Sequence, residues 1–265
     1  MAKRTFPNIF AVLQDVKDEL KGMKKRISQA SEPRRDLYEF SLFPGEASNI
    51  GDVSSYTPVT NEKGDTILLP ANQQSWLYRG QIKDFPTSLP ALYRDNPSEI
   101  ELFLRRLQVT EFELLLKTHP VVKELREKKV HVSFTGLAQH YGLKTELLDV
   151  TSDYRVAAFF AVCNYDRETE SFYPIYQEDS KFGVFYKTPM IAMDFPPGIF
   201  PGLPHLEPIG LQPFPRPEAQ RSYGCEVTGE KEFPAHKMKF RHSKKQSEKI
   251  FKEFNGGEDL LPALA

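Results

Sequence analysis

Four short segments set polar side chains of chemical interest beside apolar runs. They are Leu77-Tyr78-Arg79-Gly80-Gln81, Leu137-Ala138-Gln139-His140-Tyr141-Gly142, Leu147-Leu148-Asp149-Val150-Thr151-Ser152 and Arg216-Pro217-Glu218-Ala219-Gln220. Arg79 offers a planar fork that suits a phosphate or a ribose edge. It equally suits a structural pairing with Asp149 that joins two strands. Gly80 just after it leaves room for a ligand to approach the backbone. His140 is of the type that serves as a general base, or as a satisfied structural histidine. Tyr141 can stack on a ligand or fill a core. Gln220 carries no charge and can satisfy backbone groups in a loop. Cys163 lies in an apolar helix and reads as inert packing.

These groups need elements to hold them. Residues 75–80 read as a strand ending in Gly80, and Thr145–Val150 as a short strand. Phe134–Tyr141 is expected to be a short helix stopped by Gly142. Tyr154–Cys163 should be a buried helix capped by Ser152 or Asp153. Ser98 and Glu101 have the capping-box spacing and open a helix towards Leu116. Gly183–Lys187 is a further strand, and a helix is expected over 243–254. Phe6, Ile9, Leu13, Val16, Leu20, Met23 and Ile27 recur at alternating steps of 3 and 4. That heptad seam fits a helix docked on its own domain, or a coiled coil with a second copy or a partner helix through residues 6–27. Strands and helices do not alternate regularly, so the fold class is α+β, with small, largely antiparallel mixed sheets and flanking helices. The expected division is an N-terminal helix over 1–30, a connector over 31–74 and one domain over 75–265. Residues 196–217 hold eight prolines and suggest an extended loop.

Composition excludes several classes. The 265 residues carry 35 Lys+Arg against 36 Asp+Glu, a net charge of −1, which argues against a dedicated nucleic-acid or membrane coat. The Lys-rich stretch from Lys231 to Lys252 reads as a solvated face. Two cysteines exclude a disulfide scaffold and suit a reducing compartment. No His/Cys spacing suggests a metal site, and the longest apolar run, Ala157–Cys163, is far short of a membrane span of about 20 residues. A cytoplasmic protein is the expectation.

Tyr78-Arg79-Gly80-Gln81, then His140-Tyr141-Gly142-x-x-Thr145-x-Leu147-Leu148-Asp149-x-Thr151 and an Ala/Phe-rich helix, resembles the FRG-domain family. Ala219-Gln220 and the closing Gly256-Gly257-Glu258-Asp259-Leu260-Leu261-Pro262 also fit, so the resemblance spans about 75–263. The family usually has Trp after the Asp, where this chain has Val150. The same order of groups is similar, more faintly, to the arginine-type ADP-ribosyltransferases. That resemblance implies an ADP-ribosyltransferase-like core with NAD as substrate. Arg79, Gly80, Gln81, Tyr141, Asp149, Thr151 and Ser152 would bind the nucleotide. His140 and Glu218 or Gln220 would be catalytic, with Glu226 as another carboxylate for the third position. The implied reaction is nicotinamide loss with transfer of ADP-ribose to a target or to water, in an effector of toxin or phage-defence type. The alternative is a non-catalytic module that binds a nucleotide or nucleic acid and recruits a partner through its N-terminal helix.

Overall fold

The computed structural model describes residues 5–28, 56–61, 63–70, 76–177, 180–190, 205–209, 212–227, 233 and 235–262. Most of the expected connector, 31–55, and the stretch 196–204 of the proline-rich segment lie outside the described residues.

The chain is α+β. Strand β1 (Thr5–Phe6) leads into helix α1 (Ile9–Ser28), and a hairpin follows from β2 (Tyr56–Thr60) and β3 (Thr66–Pro70). Then come β4 (Trp76–Gln81), α2 (Glu99–Thr118), α3 (Pro120–Glu127), α4 (Phe134–His140), β5 (Leu147–Thr151) and α5 (Tyr154–Val162). The chain continues through β6 (Cys163–Asp166), β7 (Ser171–Pro174), β8 (Phe182–Pro189), β9 (His205–Pro208), the short α6 (Arg216–Ala219), β10 (Ser222–Glu226), β11 (His236–Arg241) and α7 (Lys244–Glu253). Larger than the small sheets expected, one sheet has seven strands in the order β1-β11-β8-β4-β5-β10-β9. Among the described residues of this sheet, only the β1–β11 pair runs parallel.

Alternation along the strands divides this sheet into two faces. Tyr78 stands opposite Thr151, and Thr151 opposite Ser222, so these three share a face. Tyr78 lies in an apolar cluster with α1 and α5, including Phe6, Ile9, Val12, Val16, Ala157 and Phe159. Leu77, Leu148, Val150, Val184, Tyr186, Tyr223 and Cys225 form a second cluster on the other face. β4 pairs with β8 along its length from Trp76 to Gln81. It meets β5 only at Tyr78 and Thr151, so the two central strands diverge beyond that point.

The seam of α1 is consumed inside the chain. Asn8 caps the helix by accepting from the Ala11 N–H at 3.1 Å. Phe6, Ile9, Leu13 and Val16 are buried in the first cluster, with Leu20 packed at its edge. Glu19 holds Lys187 of β8, whose ammonium lies 4.3 Å from the centre of the Trp76 ring. Of the two expectations for residues 6–27, the structure shows the helix docked on its own domain. The apolar stripe that would have met a partner meets α5 and the sheet instead, so the N-terminal helix is part of the core. Leu13→Asp puts a carboxylate into that cluster and should cost on the order of 3 kcal/mol. Thermal denaturation should show it as a lowered midpoint, with no change in molecular mass.

Candidate functional site: a polar cluster around Asp149

Helix α4 is built to deliver polar groups to the sheet. Ser133 caps it, its hydroxyl accepting from the Gly136 N–H at 3.2 Å, and Leu137 and Ala138 bury its apolar side. The next residues, Gln139, His140 and Tyr141, then face β5, α6 and β10. Gln139 Nε2 donates to Asp149 Oδ2 at 3.1 Å, while the Thr145 hydroxyl donates to Gln139 Oε1. His140 Nε2 lies 2.6 Å from Ser222 Oγ and 4.0 Å from Asp149 Oδ1. The histidine side chain is 2% exposed, whereas that of Asp149 is 43% exposed. One wall of the cluster is closed and the carboxylate faces outwards.

Arg216, at the start of α6, completes the arrangement. Its guanidinium sits 4.7 Å from the centre of the Tyr141 ring and donates to the His140 carbonyl at 3.4 Å. Phe214 meets Tyr141 edge-on at 5.8 Å. Among the described residues, no hydrogen-bond partner meets the buried Tyr141 Oη, Arg216 Nε or Asp149 Oδ1. Unmet buried polar atoms are uncommon in folded proteins, and here one belongs to the half-exposed Asp149 carboxylate and two to the Tyr141–Arg216 pair beside His140. Burial pushes the Glu218 carboxyl, two residues beyond Arg216, above its usual range. Burial likewise raises the Tyr141 hydroxyl, and Arg216 opposes that rise.

Burial pushes the His140 imidazole below its usual 6.5; Asp149 opposes the shift and Arg216 adds to it. The folded protein therefore holds the neutral ring. Below about pH 6.5 the unfolded chain binds a proton that the folded chain does not, so stability should fall as pH falls. His140→Gln should flatten the dependence of the melting midpoint on pH between roughly 7 and 5. An unchanged slope would mean that His140 is not the group responsible.

Arg79 is placed differently from the sequence-based expectation. It stands opposite Tyr186 and belongs to the face of the second cluster, whereas Thr151 and Asp149 belong to the α5 face. Its Nη1 reaches into the gap between the diverging strands and donates to the Asp149 main-chain carbonyl at 2.7 Å. The expected pairing with Asp149 thus forms, but through the backbone. Burial lowers the Arg79 guanidinium from its usual value, with Asp149 opposing. NAD held between the side chains of Arg79 and Thr151-Ser152 does not fit this alternation.

Other candidates are also committed to the fold. The Thr151 hydroxyl donates to the Gln220 carbonyl at 2.7 Å and accepts from the Asp153 N–H at 3.0 Å. The Ser152 N–H donates to the Arg221 carbonyl at 3.2 Å, and Ser152 is buried. Gln220 donates from Nε2 to the Leu260 carbonyl at 2.9 Å, which docks the C-terminal turn. Gln81 Nε2 donates to Ser88 Oγ at 3.0 Å. Glu226 ends β10, opposite Leu147 and at the far end from Ser222, and is exposed. A Cβ on Gly80 would collide with the Ala157 carbonyl and the Ala161 N–H of α5 and lie 2.9 Å from the Ala161 Cβ. The expectation that Gly80 admits a ligand is corrected: it admits a helix.

The structure therefore gathers His140, Tyr141 and Asp149 with Arg216, and leaves Arg79 and Gln81 elsewhere. Residues 74–170 match the FRG domain. This chain carries an FRG domain. No curated protein matches the chain, and no solved structure does. The FRG match takes in β4, α4, β5 and α5, and so Arg79, Gln139, His140, Tyr141 and Asp149. Arg216 and Ser222 lie beyond it and join the cluster only through the fold. The residue patterns overlooked Arg216 as a site residue, although it opens the same short segment as Glu218 and Gln220. Among the described residues, no three His, Cys, Asp or Glu side chains are grouped to hold a metal ion, and no helix is long and apolar enough to cross a membrane.

Proposed function

We propose that the FRG domain binds a nucleotide, NAD being the first candidate, at the cluster of Asp149, Tyr141 and Arg216. The observation that carries this reading is an unmet oxygen on the half-exposed Asp149 carboxylate, together with unmet polar atoms on Tyr141 and Arg216 beside His140. A nucleotide offers matching groups. Ribose hydroxyls suit a carboxylate, and a phosphate oxygen suits the Arg216 fork, already braced on Tyr141. His140 and Gln139 orient the site from behind.

In the catalytic form of this proposal the domain cleaves NAD as an ADP-ribosyltransferase-like effector. The bond from the ribose to nicotinamide breaks, and nicotinamide leaves with the bonding electrons. Asp149 stabilises the cationic ribose, and an oxygen of water or of a target forms the new bond. Glu218, with its raised carboxyl, accepts the proton lost by that oxygen. A binding-only reading is favoured by a separate observation, the commitment of Thr151 and Gln220 to backbone bonds. Titration of the purified protein with NAD, followed by a nicotinamide-release assay, distinguishes them. Binding with release supports the enzyme; binding without release supports the module. A folded protein that binds neither NAD nor its component nucleotides overturns the proposal.

A further inference from the structure

Strand β11 turns its charges to one side. Met238 and Phe240 are buried in the α1 cluster, so Lys237, Lys239 and Arg241 alternate to the other face. Two residues apart, they stand about 7 Å from one another along the strand. β8 runs beside them, with Arg241 opposite Phe182 and Lys239 opposite Val184. The partly exposed Phe182 ring is where the cations meet. The Lys239 ammonium lies 4.3 Å from its centre, that of Lys181 5.6 Å, and the Arg241 guanidinium 5.9 Å.

One acid answers this group. Asp84 takes both Lys237, at 2.6 Å, and Lys239, at 2.8 Å. Among the described residues, Lys181 and Arg241 have no carboxylate partner. Four cations and one carboxylate leave the group three positive charges in excess. A single cation over a ring is ordinary, and lysines near a sheet edge discourage pairing with other chains. Neither accounts for three cations drawn to one ring, where they repel each other, with the one acid already shared. An anion laid on this face relieves that repulsion.

The chemistry of the face selects the anion. A row of cations at regular spacing suits the phosphates of a nucleic-acid strand, and a partly exposed ring among them suits an unpaired base, which stacks on any aromatic face. Phe85, next to Asp84 in the chain, is 43% exposed and offers a second ring. We propose that the face of β8 and β11 around Phe182 binds single-stranded nucleic acid, with phosphates along Lys237, Lys239 and Arg241 and a base on Phe182. In the sheet order this face lies three strands from β5, and on the side opposite Asp149. The proposal therefore does not rest on nucleotide binding at Arg216.

Fluorescence anisotropy of a labelled oligo-uridylate, titrated with the full chain at rising salt, tests this. Wild type should bind, and log affinity should fall against log salt with a slope of about −2 to −3, as three or four phosphate contacts on a single strand require. Lys181→Ala with Arg241→Ala should weaken binding and flatten that slope by about 1.4. Both side chains are exposed, so the thermal midpoint should match wild type. Phe182→Leu should weaken binding roughly 5- to 150-fold at an unchanged slope, because stacking releases no counterions. Arg216→Ala should leave strand binding unchanged. Absence of binding at about 50 mM salt overturns the proposal, as does equal binding of polyglutamate or association with anionic vesicles in place of the oligonucleotide. So does a loss of strand binding in Arg216→Ala that the Lys181 and Arg241 double variant does not show. Unchanged affinity in Phe182→Leu overturns the stacked base, and with it the choice of an unpaired strand.

Discussion

Gly80→Ala should lower stability by about 3 kcal/mol or more, or prevent folding, although it adds one methyl group. The reason lies in how closely α5 crosses β4. A Cβ at residue 80 points into the helix backbone, towards the Ala157 carbonyl and the Ala161 N–H. Backbone cannot rotate aside as a side chain can. Relief requires α5 to lift off the sheet, and that would open the cluster holding Tyr78, Phe159 and Phe185. Gly22 gives a matched control. It is an exposed position in α1 with no atom within 4 Å of a built Cβ. Gly22→Ala should stabilise by roughly 0.5–1 kcal/mol, because alanine loses less freedom in a helix. Chemical denaturation of both variants checks the pair. A Gly80→Ala protein as stable as wild type would show that the α5 crossing is looser than the structure has it. The result bears on function too, since it assigns the Arg79-Gly80 signature to packing between a strand and a helix.

The elements around the cluster were legible because their signals are local. Ser98 and Glu101 form the expected capping box, with Ser98 N–H donating to Glu101 Oε2 at 2.7 Å. The buried helix expected over Tyr154–Cys163 forms over Tyr154–Val162, with Cys163 opening the next strand, and the strand expected over Gly183–Lys187 extends over Phe182–Pro189. The side of the sheet on which each group lies was not legible. Arg79 and Thr151 look equivalent in sequence, each at the end of an apolar strand. Their faces are fixed by a single registered pair between strands some 70 residues apart, and shifting that register by one residue would exchange the faces. Strands β1, β9, β10 and β11 gave little signal for the same reason, since they are short and ordered by their neighbours. The α1 seam shows the limit of periodicity: the pattern defines an apolar stripe, but not which surface covers it.

Arg216→Ala should weaken nucleotide binding roughly 10- to 150-fold, the usual cost of about 1.5–3 kcal/mol for a lost charge-assisted hydrogen bond. The fold should survive the change, since Arg216 is partly exposed and its bond to the His140 carbonyl, at 3.4 Å, is long. Arg216→Lys should recover only part of the affinity, because an ammonium can neither stack flat on Tyr141 nor present a fork. Asp149→Asn keeps the shape of the side chain and removes the charge. If Asp149 acts mainly on the cationic transition state, turnover should fall more than binding. Arg79→Ala is the contrasting variant. It removes the bond to the Asp149 carbonyl between the diverging strands, so its cost should appear as lost stability, about 1–3 kcal/mol, with affinity little changed in the protein that remains folded. Calorimetric titration and denaturation of the four variants separate the two locations for the site. Loss of affinity in Arg79→Ala at unchanged stability, with Arg216→Ala binding normally, would move the site to the gap between β4 and β5. The opposite pattern keeps it between α4 and β5, where a closed histidine faces an open carboxylate.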